Sequence, residues 1–167
     1  MFRNLIAFPL LVLIVIIQTT VATRITLLAG HADLMLIVLS AWALKAEPTN
    51  AWLWAISGSA MISFVSEMPW LVFLTGYSFV VLVAQALRQR VWQAPFLAML
   101  GVVLVGSLMM DTFALLVLNL LGRSLPFTES FGLIILPNVL LNLLFTIPVY
   151  IIIRDLAKWV HQTQEIE

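Results

Sequence analysis

Long apolar stretches separated by short loops restrict this chain to a helical membrane fold. A helix needs roughly 20 apolar residues to cross about 30 Å of hydrocarbon at 1.5 Å per residue. Charge, proline or glycine separates six such stretches, and we predict spans at about 5–22, 32–44, 51–66, 70–87, 94–121 and 131–153. With 63% hydrophobic and 10% charged residues, the chain is far from the soluble average of about a quarter charged. The sequence predicts one all-α transmembrane domain over residues 1–167.

Several predicted spans have uncertain ends. The second is short, so it either extends back through His31 and Asp33 or crosses a thinned bilayer. The stretch 51–87 is too long for one crossing, which predicts a tight outer turn at 67–69. The fifth overshoots one crossing by about eight residues, so 112–121 is either a tilted extension or a separate interfacial helix. The first stretch also resembles a cleaved signal peptide, but an uncleaved helix fits better because more spans follow.

The positive charges predict the orientation of the spans. Lys and Arg in short loops resist translocation and mark the cytoplasmic side. With both termini in the cytoplasm, six of them lie inside: Arg3, Lys45, Arg88, Arg90, Arg154 and Lys158. Only Arg24 and Arg123 lie outside. Four acids fall toward the outer side: Asp33, Glu67, Asp111 and Glu129.

The third span has small side chains at four-residue spacing, which places them on one helical face. This face comprises Ala55, Ser59, Ser63 and, at its end, the acid Glu67. Small residues allow two helices to approach closely in a membrane. The pattern favours packing within the chain, and the alternative is contact with a partner's helix.

The sixth span has polar residues at the same spacing. They are Asn138, Asn142, Thr146 and Tyr150. Amides in lipid must form hydrogen bonds, so this face is expected to meet protein and to bond between helices. Lining a substrate site is the less favoured interpretation. Pro137 and Pro148 leave carbonyls free on this helix and are expected to bend it.

Asp111 lies in the longest apolar run, "GSLMMDTFALL". If its helix leaves the cytoplasmic interface near Gln93, Asp111 lies roughly 27 Å further along, near the outer surface. A carboxylate at that depth could pair with Arg24 or Arg123. A proton or ion channel would need acids at mid-membrane, and this estimate places none there.

Several kinds of chemistry lack the residues they need. The chain has no cysteine, and His31 and His161 are expected on opposite sides of the membrane. No glycine-rich phosphate loop, serine nucleophile motif or catalytic pair of carboxylates is evident. The sequence therefore predicts no enzyme, no metal and no cofactor. The formal net charge of zero gives no reason to expect nucleic acid.

The first span ends in Gln18, and the later segments read "SFVSE", "TGYSF" and "LLNLLFTIPVYIIIR". The order of these features resembles the MreD family of bacterial rod shape-determining proteins. In that family the third span usually carries Gly-Leu-x-x-Asp, followed by a glycine. Here Ser63 replaces the first glycine, Glu67 replaces the aspartate, and Gly76 is the later glycine. Three residues match the last-span pattern: Asn142, Pro148 and Tyr150.

The resemblance implies a fold and a set of partners. The fold would be a six-helix bundle like the S components of energy-coupling-factor transporters, in the bacterial cytoplasmic membrane. The function would be a non-enzymatic scaffold that binds the transmembrane and juxtamembrane segment of MreC. Through MreC it would join the MreB filament, RodA and a penicillin-binding transpeptidase in cell-wall elongation. The alternative is a small-molecule binding subunit of a transporter, although the bulky first span lacks the small residues with which S components dock.

Overall fold

The computed structural model describes residues 2–45, 48–88, 94–123 and 126–162, and within them the side chains of 8–45, 50–88, 94–123 and 126–155. The helices in chain order are α1 (Phe2–Thr20), α2 (Leu34–Ala43), α3 (Pro48–Val65), α4 (Trp70–Arg88), α5 (Pro95–Leu120), α6 (Phe127–Ser130) and α7 (Leu136–Gln162). A 3₁₀ turn, Ala22–Arg24, follows α1, and a π-helix, Phe131–Ile135, joins α6 to α7. Two short strands, β1 (Thr26–Leu27) and β2 (Gly30–His31), form an antiparallel ribbon.

The protein is an all-α membrane protein, apart from that short ribbon. Within the residues that the structure describes, three helices are long and apolar enough to cross a bilayer: Trp70–Arg88, Pro95–Leu120 and the continuous segment Phe127–Asp155. Helices α1 to α5 and α7 lie at the six predicted positions, with ends that differ by up to nine residues. The break between α3 and α4 leaves residues 66–69 outside both helices, where the turn was predicted. Helix α5 continues unbroken to Leu120, so the residues after Asp111 extend this helix and do not form a separate one.

Helix α2 is short and central. All ten of its side chains are buried, and it contacts α1, α3, α4, α5 and α7. Ten residues cover about 15 Å, half of a hydrocarbon core. The prediction that this helix extends back through His31 and Asp33 was wrong. Asp33 instead caps the helix, since its Oδ1 accepts a hydrogen bond from Leu36 N at 3.0 Å.

Helices α4 and α5 approach closely because each presents a glycine to a larger side chain of the other. A Cβ at Gly76 would lie 2.8 Å from Met110 Cγ, and one at Gly106 would lie 2.6 Å from Val80 Cγ2. Neither contact leaves room for a methyl group. The two glycines therefore fix how far apart the helices lie, and with this the position of the polar residues on α5.

The start of α7 anchors the ribbon. Pro137 has no N–H to donate to the carbonyl one turn earlier, Leu133 O. That carbonyl accepts a hydrogen bond from Ala29 N at 3.1 Å. A Cβ at Gly30 would lie 2.7 Å from Pro137 Cβ and 2.8 Å from Asn138 N, so only glycine allows the ribbon to lie this close to α7. The ribbon thereby places the residues that follow it, Ala32 and Asp33, against the helix bundle.

Candidate functional site

The site is built around segment 31–34, in which residues 31–33 are non-helical and Leu34 is the first residue of α2. Two asparagines of α7, one turn apart, accept hydrogen bonds from its backbone. Asn138 Oδ1 accepts from His31 N at 2.7 Å, and Asn142 Oδ1 accepts from Asp33 N at 2.7 Å. Both asparagines are buried. As the sequence predicted, these amides form hydrogen bonds with protein groups inside the bundle. In these two bonds the donor is a backbone N–H outside the helices and not a group on another helix.

The same two amides donate to α5. Asn142 Nδ2 donates to Ser107 Oγ at 2.8 Å, and Asn138 Nδ2 donates to Asp111 Oδ1 at 3.1 Å. Ser107 and Asp111 are also four residues apart, so a pair on α5 matches a pair on α7. Each amide thus donates with its nitrogen and accepts with its oxygen, linking segment 31–34 to both long helices.

Gln18, near the end of α1, bonds the same segment from another direction. Its Nε2 donates to Ala32 O at 3.0 Å, and its Oε1 accepts from Leu34 N at 2.7 Å. Non-helical backbone inside a membrane protein is tolerated where protein groups replace water as hydrogen-bond partners. Here the side-chain amides of Gln18, Asn138 and Asn142 bond the backbone of segment 31–34 in place of water. These bonds fix where α2 begins.

The two acids of the site have different surroundings. Both oxygens of Asp33 accept from the hydroxyl of Tyr77, at 3.2 and 3.1 Å, and Tyr77 is completely buried. Asp111 accepts from Asn138, but its Oδ2 is buried with no hydrogen-bond partner among the described residues. The expected ion pair of Asp111 with Arg24 or Arg123 is not formed, although the structure describes all three side chains.

The hydrogen bonds lie near the middle of the long helices. Ser107 is at the centre of α5, and Asn142 is close to the centre of the segment Phe127–Asp155. Asp111 is four residues further along α5, about 6 Å from its centre. Helix α5 is about 39 Å long, and Asp111 lies within it, nine residues before its end at Leu120. The position of Asp111 near the outer surface of the membrane stays a prediction.

A cavity of about 360 Å³ adjoins this cluster. Its polar wall includes Asp33, Tyr77, Asp111 and Asn138. Apolar side chains from several helices form most of the remaining wall, among them Ile62, Val72, Phe73, Leu115 and Ile135. The arrangement can hold a small molecule that has one polar end and one apolar end.

The predicted small-residue face of α3 divides into two halves. Ala55 and Ser59 are buried, and Ser59 Oγ bonds Ile56 O of its own helix at 2.8 Å. Ser63 is partly exposed, and Glu67 is exposed in the turn beyond the end of α3. The first half packs within the chain, and the second half remains accessible.

The predicted polar face of α7 also divides. Asn138 and Asn142 belong to the cluster, whereas Thr146 bonds only Asn142 O of its own helix, at 2.7 Å. Tyr150 lies at the other end of the bundle, edge-on to Phe96 with ring centroids 5.3 Å apart and with Lys45 Nζ 5.6 Å from its ring. These two residues do not line the cavity.

Sequence reasoning did not assign Ser107 and Tyr77 to the site. The signal for Ser107 was present, because its four-residue spacing to Asp111 repeats that of the α7 asparagines. Tyr77 lies in the segment "TGYSF" that contributes to the resemblance, but its bond to Asp33 was not predicted, since Asp33 is 44 positions away in the chain. Among the described side chains, no three His, Cys, Asp or Glu residues cluster in a way that could hold a metal ion.

Comparison with known proteins returned no match: no family model, no curated protein and no solved structure is significantly similar to this chain.

Proposed function

We propose that the protein is a non-enzymatic scaffold of the MreD type, which binds MreC within the bacterial cell-wall elongation machinery. One observation carries the proposal. Gln18 and Asn142, two residues on which the resemblance to MreD rests, both bond the segment that starts α2. They are far apart in sequence and converge on one structural element. The shared pattern therefore describes how a particular bundle is assembled, which supports common descent of the fold.

Other residues of the pattern also support a structural frame. Gly76 lies against Met110, and Tyr150 packs against Phe96. Each of these contacts holds two helices together, and none surrounds a reacting group. The residues on which the resemblance rests are used for internal packing, which suits a protein that presents a surface to partners. Such an arrangement is less suited to catalyse a reaction.

The proposal includes six membrane crossings with both termini in the cytoplasm. It rests on the six helices α1 to α5 and α7, and on the unequal distribution of Lys and Arg between the two sides. In this arrangement α2 crosses only about half of the hydrocarbon as a helix, and residues 32–33 before it, whose backbone bonds Gln18 and Asn142, continue the crossing inside protein. The membrane would be the bacterial cytoplasmic membrane.

We assign the partner surface to the accessible end of α3. Ser63 and Glu67 remain accessible there, and Phe64 beside them is 90% exposed. Ser59 is 4% exposed and belongs to the interior. The transmembrane helix of MreC would lie along the Ser63 end of the face, and its juxtamembrane segment would meet Glu67. Through MreC the protein would be linked indirectly to MreB, RodA and a penicillin-binding transpeptidase.

Co-purification tests this surface. The chain is co-expressed with the MreC of the same organism, and recovery of MreC is measured for Ser63→Trp and Glu67→Ala. We expect several-fold lower recovery, whereas Leu144→Trp, a matched bulky change at an exposed position on α7, leaves recovery unchanged. All variants must elute as the folded protein on size exclusion. Unchanged recovery with both α3 variants would refute the assigned surface, and retention of rod shape after depletion would refute the role.

A second candidate function is favoured by the cavity. Its volume of about 360 Å³ falls within the range of roughly 300–1,000 Å³ that is usual for small-molecule sites. A transporter subunit similar to an S component would use such a site to hold its ligand. Native mass spectrometry of the purified protein distinguishes the two: a stoichiometric small ligand together with failure to recover MreC would favour the transporter subunit.

A further inference from the structure

We propose that the cavity binds a small organic cation, namely a primary ammonium or guanidinium group on a short apolar stem. The inference concerns the cavity alone, and it does not depend on whether the protein binds MreC. It follows from the charges on the cavity wall, from the apolar remainder of that wall, and from where the cavity reaches the end of the bundle.

The polar end of the cavity is acidic. Asp33 and Asp111 both line it together with His31, and neither Lys nor Arg does among the described residues. Asn138 lies between them, since it accepts from His31 N and donates to Asp111. The Asp111 Oδ2 has no donor within the described chain. A carboxylate in a low-dielectric interior gains strongly from a cation that donates hydrogen bonds to it.

The remainder of the wall selects an organic cation over a hydrated inorganic ion. Beyond the polar end the cavity is lined largely by aliphatic and aromatic side chains, such as Val72, Phe73 and Leu115. A hydration shell would lie against apolar surface there, whereas an alkyl stem would bury its own apolar surface. The volume of about 360 Å³ lies at the small end of ligand sites, which suits a short stem.

The cavity also reaches one end of the bundle, where a ligand can enter. Its wall includes Thr23 from the 3₁₀ turn, Ser66 and Met68 from the α3–α4 turn, and Ser130 from α6. All of these residues lie in turns or at helix ends. The acids lie deeper, so the cationic group would enter first and the stem would follow.

Calorimetry of the full chain in nanodiscs, with empty nanodiscs as background, tests the proposal. The probes are n-butylammonium, n-butylguanidinium, 1-butanol and butyrate at pH 7. We expect saturable binding of the two cations, and at least about tenfold weaker binding of 1-butanol and butyrate, because only the cations can pair with the acids. Equal binding of 1-butanol, or no saturable binding of either cation, would overturn the proposal.

Two variants and a control locate the site. Asp111→Asn keeps the shape and the bond from Asn138, and we expect it to weaken butylammonium binding about tenfold or more. Ala114→Phe fills the cavity from α5 and should abolish binding. Glu129→Gln, the same kind of charge removal at an exposed position, should change binding by less than about twofold. If Asp111→Asn does not fold, the Ala114 variant still decides, and unchanged binding in a folded Ala114→Phe would overturn the site.

Competition distinguishes two sources of the cation, a free amine and a protein side chain. The competitor is an apolar transmembrane peptide with one lysine near its end, compared with the same peptide carrying norleucine. Displacement of butylammonium by the lysine peptide only would support the site and assign its ligand to a partner's side chain. Displacement by neither peptide would support the site as one for a free amine. Equal displacement by both would overturn cation recognition.

Discussion

Replacing Asn142 by leucine should destabilise the protein substantially, because this amide holds three elements together. Asn142 Oδ1 accepts from Asp33 N at 2.7 Å, and Asn142 Nδ2 donates to Ser107 Oγ at 2.8 Å. Asn142 is 2% exposed, so no water would replace either bond. Leucine has a similar volume, which separates the loss of the hydrogen bonds from the effect of a cavity.

The magnitude follows from the two lost bonds. A buried backbone N–H left without an acceptor costs about 1–3 kcal/mol. A side-chain hydrogen bond between membrane helices contributes about 0.6 kcal/mol on average, with a maximum of about 1.7. Together these give a loss of about 2–4 kcal/mol in the free energy of unfolding. Thr146→Val on the same helix is the control, since its hydroxyl bonds only Asn142 O one turn earlier and should cost below about 1 kcal/mol.

Reversible unfolding in mixed micelles, followed by circular dichroism, measures both variants. A double-mutant cycle with Ser107→Ala isolates the bond between the helices, and we expect a coupling energy of about 0.5–1.5 kcal/mol. Two results would refute the reasoning. One is a cost for Asn142→Leu no larger than that for Thr146→Val, and the other is a coupling energy of zero.

Three further predictions concern the same segment. Gly30→Ala should destabilise the protein by about 1–3 kcal/mol, because the added Cβ would lie 2.7 Å from the Cβ of Pro137. Gly101→Ala is the control, since open space surrounds it, and equal unfolding midpoints of the two variants would contradict this prediction. Gln18→Leu should speed hydrogen exchange of the Leu34 amide in mass spectrometry, and unchanged exchange would show that this bond does not hold the segment. Tyr77→Phe should cost about 1–3 kcal/mol by leaving a carboxylate short of a donor, and an unchanged melting temperature would contradict that.

The sequence predicted the helices well because apolar length and flanking breaks are local properties. It located the six helices and the turn before Trp70, and it identified Asn138 and Asn142 as residues that bond within protein. It also indicated that the small residues of α3 pack inside the chain, which holds for Ala55 and Ser59. These predictions depend only on the spacing of residues along one helix, and this spacing can be read from the sequence.

The site depended on contacts between distant parts of the chain. The hydrogen bond that Asp111 accepts from Asn138 was not predicted, because the two residues lie on different helices. The start of α2 was misjudged because hydropathy does not show that Gln18 and Asn142 satisfy a non-helical backbone. Tyr77 was not anticipated, because its bond to Asp33 joins residues 44 positions apart. Such pairings are set by how the helices pack, not by any one segment.

Co-purification with MreC is the measurement that tests the proposed function most directly. The wild-type chain and the MreC of the same organism are co-expressed, solubilised and separated by affinity and size exclusion, with an unrelated single-span protein as the comparison. We expect MreC to be recovered in fixed stoichiometry with this chain, and the unrelated protein not to be recovered. Separate elution of MreC and this chain, with both folded, would contradict it.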